Sequence, residues 1–313
     1  MRRMTVRQGA GLLASACAIA GATALGVCAT PAPQVKIPIR NYPLGVAIGG
    51  GSAWVSTHRD SILYRIDVKT NRVVSRIDIG QNACGQVGFG FGRVWVGHCD
   101  TATSVIVIDA ATEQVVGKVP AWPLVFVFGF GSAWMTGDLG DAGEILRLDP
   151  KTLQVQARIT AGHGATPFLT PTGVWSLNTE DGTVSRIDPA TNKVTKTMRY
   201  GEPGDSAAAF AGGAIWIQNT SAGALYRFNP STGRTTRVPL KFMGVADAYV
   251  AVGRGRIWVR LSDLRVAGID IKTGKLRTNL RTQAPGGGYL ALDRTSVWEP
   301  ASLIDTVFRI PAP

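Results

Sequence analysis

The stretch Gly51–Arg72, GSAWVSTHRDSILYRIDVKTNR, returns three times in recognisable form along the chain. Its copies are GRVWVGHCDTATSVIVIDAATEQ from Gly92, GSAWMTGDLGDAGEILRLDPKTLQ from Gly131 and TGVWSLNTEDGTVSRIDPATNK from Thr172. Each copy joins a short apolar run around a tryptophan to a second apolar run that ends in a turn sequence. The chain is therefore built from one repeated unit.

Seven tryptophans carry the repeat through the chain at spacings of 41, 39, 41, 41, 42 and 40 residues: Trp54, Trp95, Trp134, Trp175, Trp216, Trp258 and Trp298. A period near 40 residues with strand-like content is typical of a propeller, in which each repeat forms one four-stranded blade. After Val27 no apolar stripe is as long as an ordinary globular helix. The sequence predicts an all-β fold, a seven-bladed β-propeller of four-stranded antiparallel blades.

The last repeat predicts how the ring closes. It ends at Thr306–Ile310 with its third strand and lacks a fourth. Gln34–Ile39, QVKIPI, precedes the first blade and has strand character. We expect this segment to complete the last blade, so that residues 30–313 form a single propeller domain.

Three further features of the repeat predict structure rather than chemistry. Turn sequences such as IDVKTN (Ile66–Asn71) and IDPATN (Ile187–Asn192) place an acid where its carboxylate can accept bonds from backbone amides two residues on. We expect each tryptophan to pack between blades. Arginines recur on the predicted third strands, and we expect them to contact the neighbouring blade: Arg65, Arg147, Arg186, Arg227 and Arg309.

The N-terminus has the pattern of a signal peptide. Arg2, Arg3 and Arg7 precede the acid-free apolar run Gly9–Val27, and Val27-Cys28-Ala29 offers small residues for cleavage. The sequence therefore predicts that residues 1–29 are removed and that the protein is exported, periplasmic or extracellular. The alternative is a lipoprotein anchored through Cys28, because Leu25-Gly26-Val27 is close to a lipoprotein box.

Two cysteines remain after such cleavage, Cys84 and Cys99, at the two ends of one predicted hairpin. An even pair in an exported protein favours a disulfide. Metal binding through Cys84, His98 and Cys99 is the alternative.

The turn RIDPATNKV (Arg186–Val194) and the second strand AWVS (Ala53–Ser56) resemble the YVTN-repeat family of bacterial secreted propellers. They are also similar to the streptogramin (virginiamycin B) lyase superfamily, which would imply lyase activity and a magnesium ion. That superfamily places His eleven residues before the tryptophan and Glu three residues after it. Here the first position holds Pro43, Cys84, Pro123, Gly164, Asp205, Asp247 and Gly287. The second holds Thr57, His98, Gly137, Asn178, Asn219, Leu261 and Ala301, so the lyase residues are not matched.

In a propeller, the loops that enter the innermost strands and leave the second strands open on one face, around the mouth of the central channel. That mouth is the expected ligand site. The polar and aromatic candidates predicted there are His98, Asp138, His163, Asn178, Asp205, Asn219, Asp247 and Trp122, with Cys84, His58 and Phe168 nearby. The three histidines could form a metal site or a general base with Asp205 or Asp247. They could equally be solvated loop residues in separate blades.

The net charge of +12 raises the question of an anionic partner. Many of the basic residues map to outer turns and outer strands, where charges keep exposed sheet edges from pairing. This scatter argues against specific recognition of nucleic acid. It leaves weak attraction to anionic polymers or membrane surfaces open.

The sequence therefore favours a non-catalytic binding or scaffold propeller with no cofactor. We expect it to act as a monomer on an envelope protein or small ligand at the channel mouth. The alternative is a streptogramin-lyase-like or other enzyme that uses the same mouth, and only that alternative would need Mg²⁺. No HExxH, GxSxG, GxGxxG or P-loop pattern occurs in the chain.

Overall fold

The computed structural model describes residues 30–31, 34–80, 83–98, 103–138, 143–238, 240, 249–261 and 264–313. It describes the side chains of these residues except for 30–31, 83–85 and 138. The predicted signal segment, residues 1–29, lies outside the described residues. Within them, no helix has the length and apolar character needed to cross a membrane.

The described residues form almost only strands. Two N-terminal strands, β1 (Thr30–Pro31) and β2 (Val35–Pro38), precede the blades. The first three blades, from the innermost strand outward, are β3 (Pro43–Gly49), β4 (Ser52–Thr57), β5 (Ile62–Asp67) and β6 (Arg72–Asp78); β7 (Ala83–Gly90), β8 (Arg93–His98), β9 (Ser104–Asp109) and β10 (Val115–Pro120); β11 (Phe126–Gly129), β12 (Ser132–Asp138), β13 (Glu144–Leu148) and β14 (Val155–Thr160).

The remaining four blades follow the same order. They are β15 (Ala165–Thr170), β16 (Gly173–Asn178), β17 (Thr183–Asp188) and β18 (Lys193–Arg199); β19 (Ser206–Ala211), β20 (Ala214–Asn219), β21 (Ala224–Phe228) and β22 (Thr235–Val238); β23 (Val250–Gly253), β24 (Arg256–Leu261), β25 (Arg265–Asp270) and β26 (Leu276–Arg281); β27 (Ala291–Leu292), β28 (Ser296–Ala301) and β29 (Thr306–Pro311). A short 3-10 turn, Ser302–Ile304, follows β28.

The ring closes as the sequence predicts. Strand β2 pairs antiparallel with β29, with Val35 opposite Arg309 and Pro38 opposite Thr306, and so becomes the outermost strand of the seventh blade. Strand β1 adds a parallel pair at the outer edge of the sixth blade, with Thr30 opposite Leu280. The prediction of a seven-bladed, four-stranded antiparallel propeller is confirmed.

The tryptophans pack between blades, each against the blade that follows. Trp54 lies with Val87 and Val94 of the second blade, and Trp298 lies with Val46 of the first blade, which completes the circle. In six blades the indole side chain is fully buried: Trp54, Trp95, Trp134, Trp216, Trp258 and Trp298. Burying a large aromatic side chain stabilises a fold by several kcal/mol, on the order of 3–5.

Most of the indole N–H groups have the same partner. Trp134 Nε1 donates to the carbonyl of Gly129, five residues earlier across the first hairpin, at 3.0 Å. Equivalent bonds occur at Trp54, Trp95, Trp216 and Trp258. In the seventh blade Trp298 Nε1 donates to the carboxylate of Asp293 at 2.9 Å instead. Trp175 departs from the rule, because its buried Nε1 has no partner in the described part of the chain.

Third-strand arginines contact the neighbouring blade in three of the five predicted cases. Arg147 lies over the ring of Trp134 at 5.1 Å and donates to the Pro189 carbonyl at 2.6 Å and to Asn192 Oδ1 at 2.8 Å, both in the next blade. Arg65 and Arg309 make equivalent contacts, to Glu113 at 2.7 Å and to Asn71 at 2.8 Å.

The prediction is wrong for Arg186, which is exposed and donates to the carbonyl of Thr172 in its own blade at 3.3 Å. Arg227 stacks on Trp216 of its own blade at 5.8 Å. In the second blade, whose third strand has Val107 at this place, Arg93 of the second strand reaches the next blade and donates to the Pro150 carbonyl at 2.6 Å. An arginine on the second strand or on the third strand can reach the next blade, because these two strands are paired side by side.

The turns between third and outermost strands are built as expected. Asp67 Oδ1 accepts bonds from the backbone N–H of Lys69 at 2.9 Å and of Thr70 at 2.7 Å, and from the Thr70 hydroxyl at 3.0 Å. These bonds favour the ionised carboxylate, so the backbone N–H of Thr70 above all holds the pKa of Asp67 below its ordinary range. The same arrangement occurs at Asp109, Asp149, Asp188, Asn229 and Asp270.

The meander of each blade defines two faces of the ring. The turns that join the first strand to the second and the third strand to the outermost lie on one face, which we call the turn face. The connections that leave the second strand, and those that pass to the next blade, lie on the opposite face, which we call the loop face. Each innermost strand runs from the loop face to the turn face.

Candidate functional site

A cavity of about 640 Å³ occupies the axis of the ring, and innermost segments of all seven blades line it. Most of the residues that line it are apolar or aromatic, with Phe89, Phe126, Phe128, Phe168 and Phe210 among them. Volumes of 300–1,000 Å³ are typical of small-molecule sites. The channel is therefore large enough for a small ligand or for a few side chains of a partner protein.

Glycines make room for the aromatic wall. A Cβ atom at Gly49 would lie 2.0 Å from ring atoms of Phe89 in the next blade, and one at Gly90 would lie 2.2 Å from the ring of Phe128. These two glycines occupy the position five residues before the tryptophan. The same backbone carbonyls accept the indole N–H bonds, so one position in the repeat both fixes the tryptophan and admits the neighbouring aromatic ring.

The polar lining lies toward the loop face. Gln86, Asp205 and Tyr249 occupy the loop-face ends of the lining segments in the second, fifth and sixth blades. Burial raises the pKa of Tyr249, and hydrogen bonding by Gln86 partly opposes the rise. Tyr249 is therefore a neutral phenol at ordinary pH, and its ring meets that of Tyr289 edge to face with centroids 5.3 Å apart.

One hydrogen-bond acceptor on the described channel wall lacks a partner. Gln86 is 7% exposed, and its buried Oε1 has no hydrogen-bond partner within the described residues. An unpartnered buried amide oxygen costs free energy, on the order of 1–3 kcal/mol, unless water or a ligand satisfies it. Because Gln86 lines the channel, a molecule bound there could donate a hydrogen bond to its Oε1.

The channel wall contrasts in charge with the rest of the molecule. Among the described residues that line it, none is lysine, arginine or histidine, and the carboxylate of Asp205 is the one formal charge. Asp205 is exposed and accepts a bond from the Thr220 hydroxyl at 3.1 Å. The chain as a whole carries 33 lysine and arginine residues, so the described channel wall differs in charge from most of the molecule.

Two of the residues that the sequence places at the mouth line the channel, namely Asp205 and Phe168. His163 lies on the loop face without lining it, with 52% of its side chain exposed. Its Nδ1 lies 2.8 Å from Asp181 Oδ1, and Asp181 Oδ2 accepts its backbone N–H at 2.9 Å. This pair ties two connections of the fourth blade together.

Asn178 and Asn219 are fully buried and connect backbone and hydroxyl groups within their blades. The Asn178 amide donates to the hydroxyls of Thr183 and Ser185, each at 2.9 Å. The Asn219 amide donates to the carbonyl of Glu202 at 2.9 Å. Neither asparagine lines the channel.

The other candidates are distributed around the ring. His98 is 4% exposed at the end of β8, Trp122 is 37% exposed, and His58 is exposed with its ring 6.1 Å from that of Tyr42. None of the three lines the channel. In the part of the chain that the structure describes, no three His, Cys, Asp or Glu side chains are grouped so that they could hold a metal ion.

Four predicted residues fall outside the described side chains. These are Cys84, Cys99, Asp138 and Asp247. The Cys84–Cys99 disulfide, its metal-binding alternative and the roles of the two aspartates therefore stay predictions.

A buried ion pair that was not predicted from the sequence lies between the sixth and seventh blades. Arg260 Nε lies 3.2 Å from Glu299 Oε1, and their side chains are 6% and 0% exposed. The Arg260 guanidinium also donates to the carbonyls of Pro300 and Ala284. Burial raises the pKa of Glu299 to about 7, although Arg260 and a bond from Thr282 lower it.

A signal for this pair does exist in the sequence. Glu299 directly follows the tryptophan of its repeat, where the other six repeats carry Val55, Val96, Met135, Ser176, Ile217 and Val259. Each tryptophan packs against the following blade. The side chain of the residue directly after it points the opposite way, toward the preceding blade. A charge at that position needs a partner on the adjacent blade, and Arg260 provides it.

Comparison with solved structures finds the same architecture elsewhere. The chain is similar to Kuenenia stuttgartiensis hydrazine synthase, with a TM-score of 0.72 and 14% identity over 93% of this chain and 99% of that chain. It is also similar to BamB from Moraxella catarrhalis, with a TM-score of 0.65 and 14% identity over 90% of this chain and 100% of that chain. At such identities the likeness shows the fold alone. No family model and no curated protein matches the chain.

Proposed function

We propose that this protein is an exported, non-catalytic binding propeller of the bacterial envelope that holds a ligand in the loop-face end of its central channel. The observation that carries the proposal is the channel wall, whose described residues include several aromatic side chains and no basic one, and which offers acceptors at Gln86 and Asp205. The ligand is a small molecule or a projecting group of a partner protein. The N-terminal pattern of Arg2, Arg3 and Gly9–Val27 supports the exported location.

The wall favours a particular ligand chemistry. Its apolar part, with Phe126 and Phe168, suits an aromatic or aliphatic body. Its acceptors suit a head group that donates hydrogen bonds, and the carboxylate of Asp205 favours a positive charge on that head. The tyrosine rings at the same end can attract a cation through their faces, an interaction worth about 0.5–2 kcal/mol. We therefore propose an amine with an aromatic or aliphatic tail as the preferred class.

A matched pair of probes tests this proposal. Phenethylammonium and phenylpropionate share an aromatic ring but differ in the charge of the head, and binding of each can be measured by calorimetry. We expect the amine to bind and the carboxylate to bind at least about tenfold more weakly, a difference of about 1.4 kcal/mol.

Variants locate the binding and separate it from general electrostatics. Asp205→Asn and Gln86→Leu should each weaken amine binding, whereas Glu180→Gln, an exposed loop-face change outside the channel wall, should not. Equal binding of both probes, or equal effects of the Asp205 and Glu180 changes, would contradict the proposal. A magnesium-dependent stabilisation that Asp205→Asn abolishes would favour the lyase alternative instead.

A further inference from the structure

Exposed charges are divided between the two faces of the ring. Within the described residues, every exposed acidic side chain lies on the loop face: Asp78, Glu180, Glu202, Asp205 and Asp305. The turn face also has acids, but each is only partly exposed and accepts bonds from its own turn or pairs with an arginine: Asp67, Asp109, Glu113, Asp149, Asp188, Asp270 and Asp293. Among the described residues, the exposed carboxylates therefore all lie on the loop face.

The turn face presents the opposite sign. Nine basic side chains in its described turns are exposed: Lys69, Arg72, Lys151, Lys193, Arg234, Arg254, Lys272, Lys275 and Arg294. They surround the ring, and none of the acids between them is exposed. The turn face is thus a broad basic surface, and the asymmetry would orient the molecule in front of any anionic layer.

Two phenylalanines project from the same face at positions that the fold does not require to be aromatic. The residue four before the tryptophan opens the first turn of each blade, and five blades hold it with positive φ: Gly50 at 58°, Phe91 at 56°, Phe130 at 53°, Gly212 at 58° and Arg254 at 55°. Glycine and asparagine are favoured there, whereas a bulky residue is strained. Phe91 and Phe130 are nevertheless 49% and 40% exposed.

The two phenylalanines are equivalent in the repeat, and an aromatic contact links the two hairpins that carry them. They occupy adjacent blades, and the ring of Phe91 meets that of Phe128 edge to face with centroids 6.4 Å apart. Phe128 lies two residues before Phe130 on the same hairpin. The two exposed rings therefore project from turns of adjacent blades within the basic surface, and we call this pair the aromatic patch.

We infer that the turn face docks on an anionic lipid bilayer, with Phe91 and Phe130 entering the headgroup region and the basic side chains facing lipid phosphates. Exposed aromatic rings combined with lysine and arginine are the chemistry of interfacial membrane binding. A soluble polyanion would be attracted by the charges but would gain little from the strained, exposed rings. The orientation directs the loop-face end of the channel away from the membrane, and it does not depend on what the channel binds.

Vesicle flotation tests the inference directly. The exported protein carries Cys28→Ser in every sample, so that no lipid anchor contributes. Vesicles of phosphatidylcholine with phosphatidylglycerol should carry the protein, whereas vesicles of phosphatidylcholine alone should not. Binding should fall steeply toward about 1 M salt, where the screening length is about 3 Å. Equal flotation with both kinds of vesicle would overturn the inference.

The aromatic patch is tested with Phe91→Asn and Phe130→Asn together. Asparagine accepts the positive φ of both turns, so the fold should be retained or stabilised. We expect binding to anionic vesicles to weaken on the order of tenfold or more. Leu264→Asn is the matched control, because Leu264 is 39% exposed with φ of 59° but lies on the loop face. It should leave binding unchanged.

The basic surface is tested with Lys69→Gln, Lys151→Gln and Lys272→Gln in one variant. We expect the affinity for anionic vesicles at low salt to fall on the order of tenfold or more, with a weaker dependence on salt. Their matched control neutralises three exposed loop-face cations, Arg40, Arg59 and Arg199, and should have a much smaller effect.

Two outcomes of the variant experiments would overturn the inference. One is an equal loss of binding when the loop-face cations are neutralised. The other is unchanged binding of the double phenylalanine variant together with displacement by a soluble polyanion such as heparin, which would identify a polyelectrolyte surface instead of a membrane one.

Discussion

The turn half of the blades and the loop half differ in how closely they follow the repeat. In the turn half, Trp134 and Asp149 make contacts that recur in most other blades, and the cross-blade contacts of Arg147 recur at Arg65 and Arg309. In the loop half, the position three residues after the tryptophan changes from blade to blade, with Thr57, His98, Asn178, Asn219 and Leu261 among its residues, and the buried carboxylate of Glu299 has no acidic equivalent in the other blades. One half therefore has a common structural task, while the other is free to differ from blade to blade.

The largest expected loss of stability comes from truncating a tryptophan that packs between blades. Trp134→Ala removes a fully buried indole between the third and fourth blades, and we expect the free energy of unfolding to fall by about 3–5 kcal/mol in chemical denaturation. Trp122→Ala, which truncates a 37% exposed tryptophan on the loop side, should cost less than about 1 kcal/mol. Similar losses in both variants would break the comparison.

The buried carboxylate of Glu299 sharpens the comparison. It belongs to a single blade, and it should make the free energy of unfolding depend on pH. Burial raises the pKa of Glu299 from its ordinary 4.5 to about 7 in the folded protein. Between these pH values the folded state binds more protons than the unfolded state, so stability falls as the pH rises. The contribution is fully present below about pH 4.5 and is lost by about pH 7, with a size on the order of 3 kcal/mol.

Denaturation of wild type and Glu299→Gln at several pH values measures this contribution. The variant keeps the bonds of Arg260 to the carbonyls of Pro300 and Ala284 but has no group that titrates in the pair. We expect the difference in stability between the two proteins to change across pH 4.5–7 in the stated direction. Glu180→Gln, at an exposed carboxylate, serves as the control. A difference that is constant with pH would contradict the prediction.

A smaller effect is expected at the cross-blade arginines. Arg147→Ala removes two bonds to the fourth blade and the contact with Trp134, and we expect a loss of about 1.5–3 kcal/mol. Arg186→Ala is the matched control, since Arg186 occupies the same position in the next blade but is exposed and bonds only within that blade. It should cost less than about 0.5 kcal/mol. Thermal unfolding of the two variants side by side would separate them.

The smallest effect is expected on the loop face. His163 and Asp181 form an exposed pair, and exposed pairs contribute about 0–1 kcal/mol. His163→Ala should therefore leave the unfolding temperature nearly unchanged. A loss of more than about 2 kcal/mol would show that this part of the loop face also has a structural task.

The difference between the halves explains what the sequence could predict. The tryptophan period predicts seven blades, and the strand character of Gln34–Ile39 predicts the closure, because both follow from the geometry of every blade. The Asp-initiated turns are local, since the bonds of Asp67 reach only two and three residues along the chain. These features needed no knowledge of neighbouring blades beyond the repeat itself.

The candidate site was harder to predict because it depends on register. The pairing of β7 with β8 shifts between Ala83 and Val87, so counting back from Trp95 did not indicate that Gln86 lines the channel. Tyr249 lies before β23 and was likewise missed. Asp205 was found because its blade keeps a regular register from Ser206 to Ala211. The direction of a side chain on an innermost strand is thus lost wherever a bulge interrupts the count.

The pairing of β2 with β29 affects when the ring can fold and how proteolysis would open it. Val35 and Arg309 are among the first and last described residues, yet they lie opposite each other in one sheet. Contacts between such distant positions carry a high entropic cost and form late in folding. If the chain crosses a membrane from its N-terminus, the ring cannot close until β29 has emerged. Proteolytic removal of β29 would break the strand pairing that closes the ring.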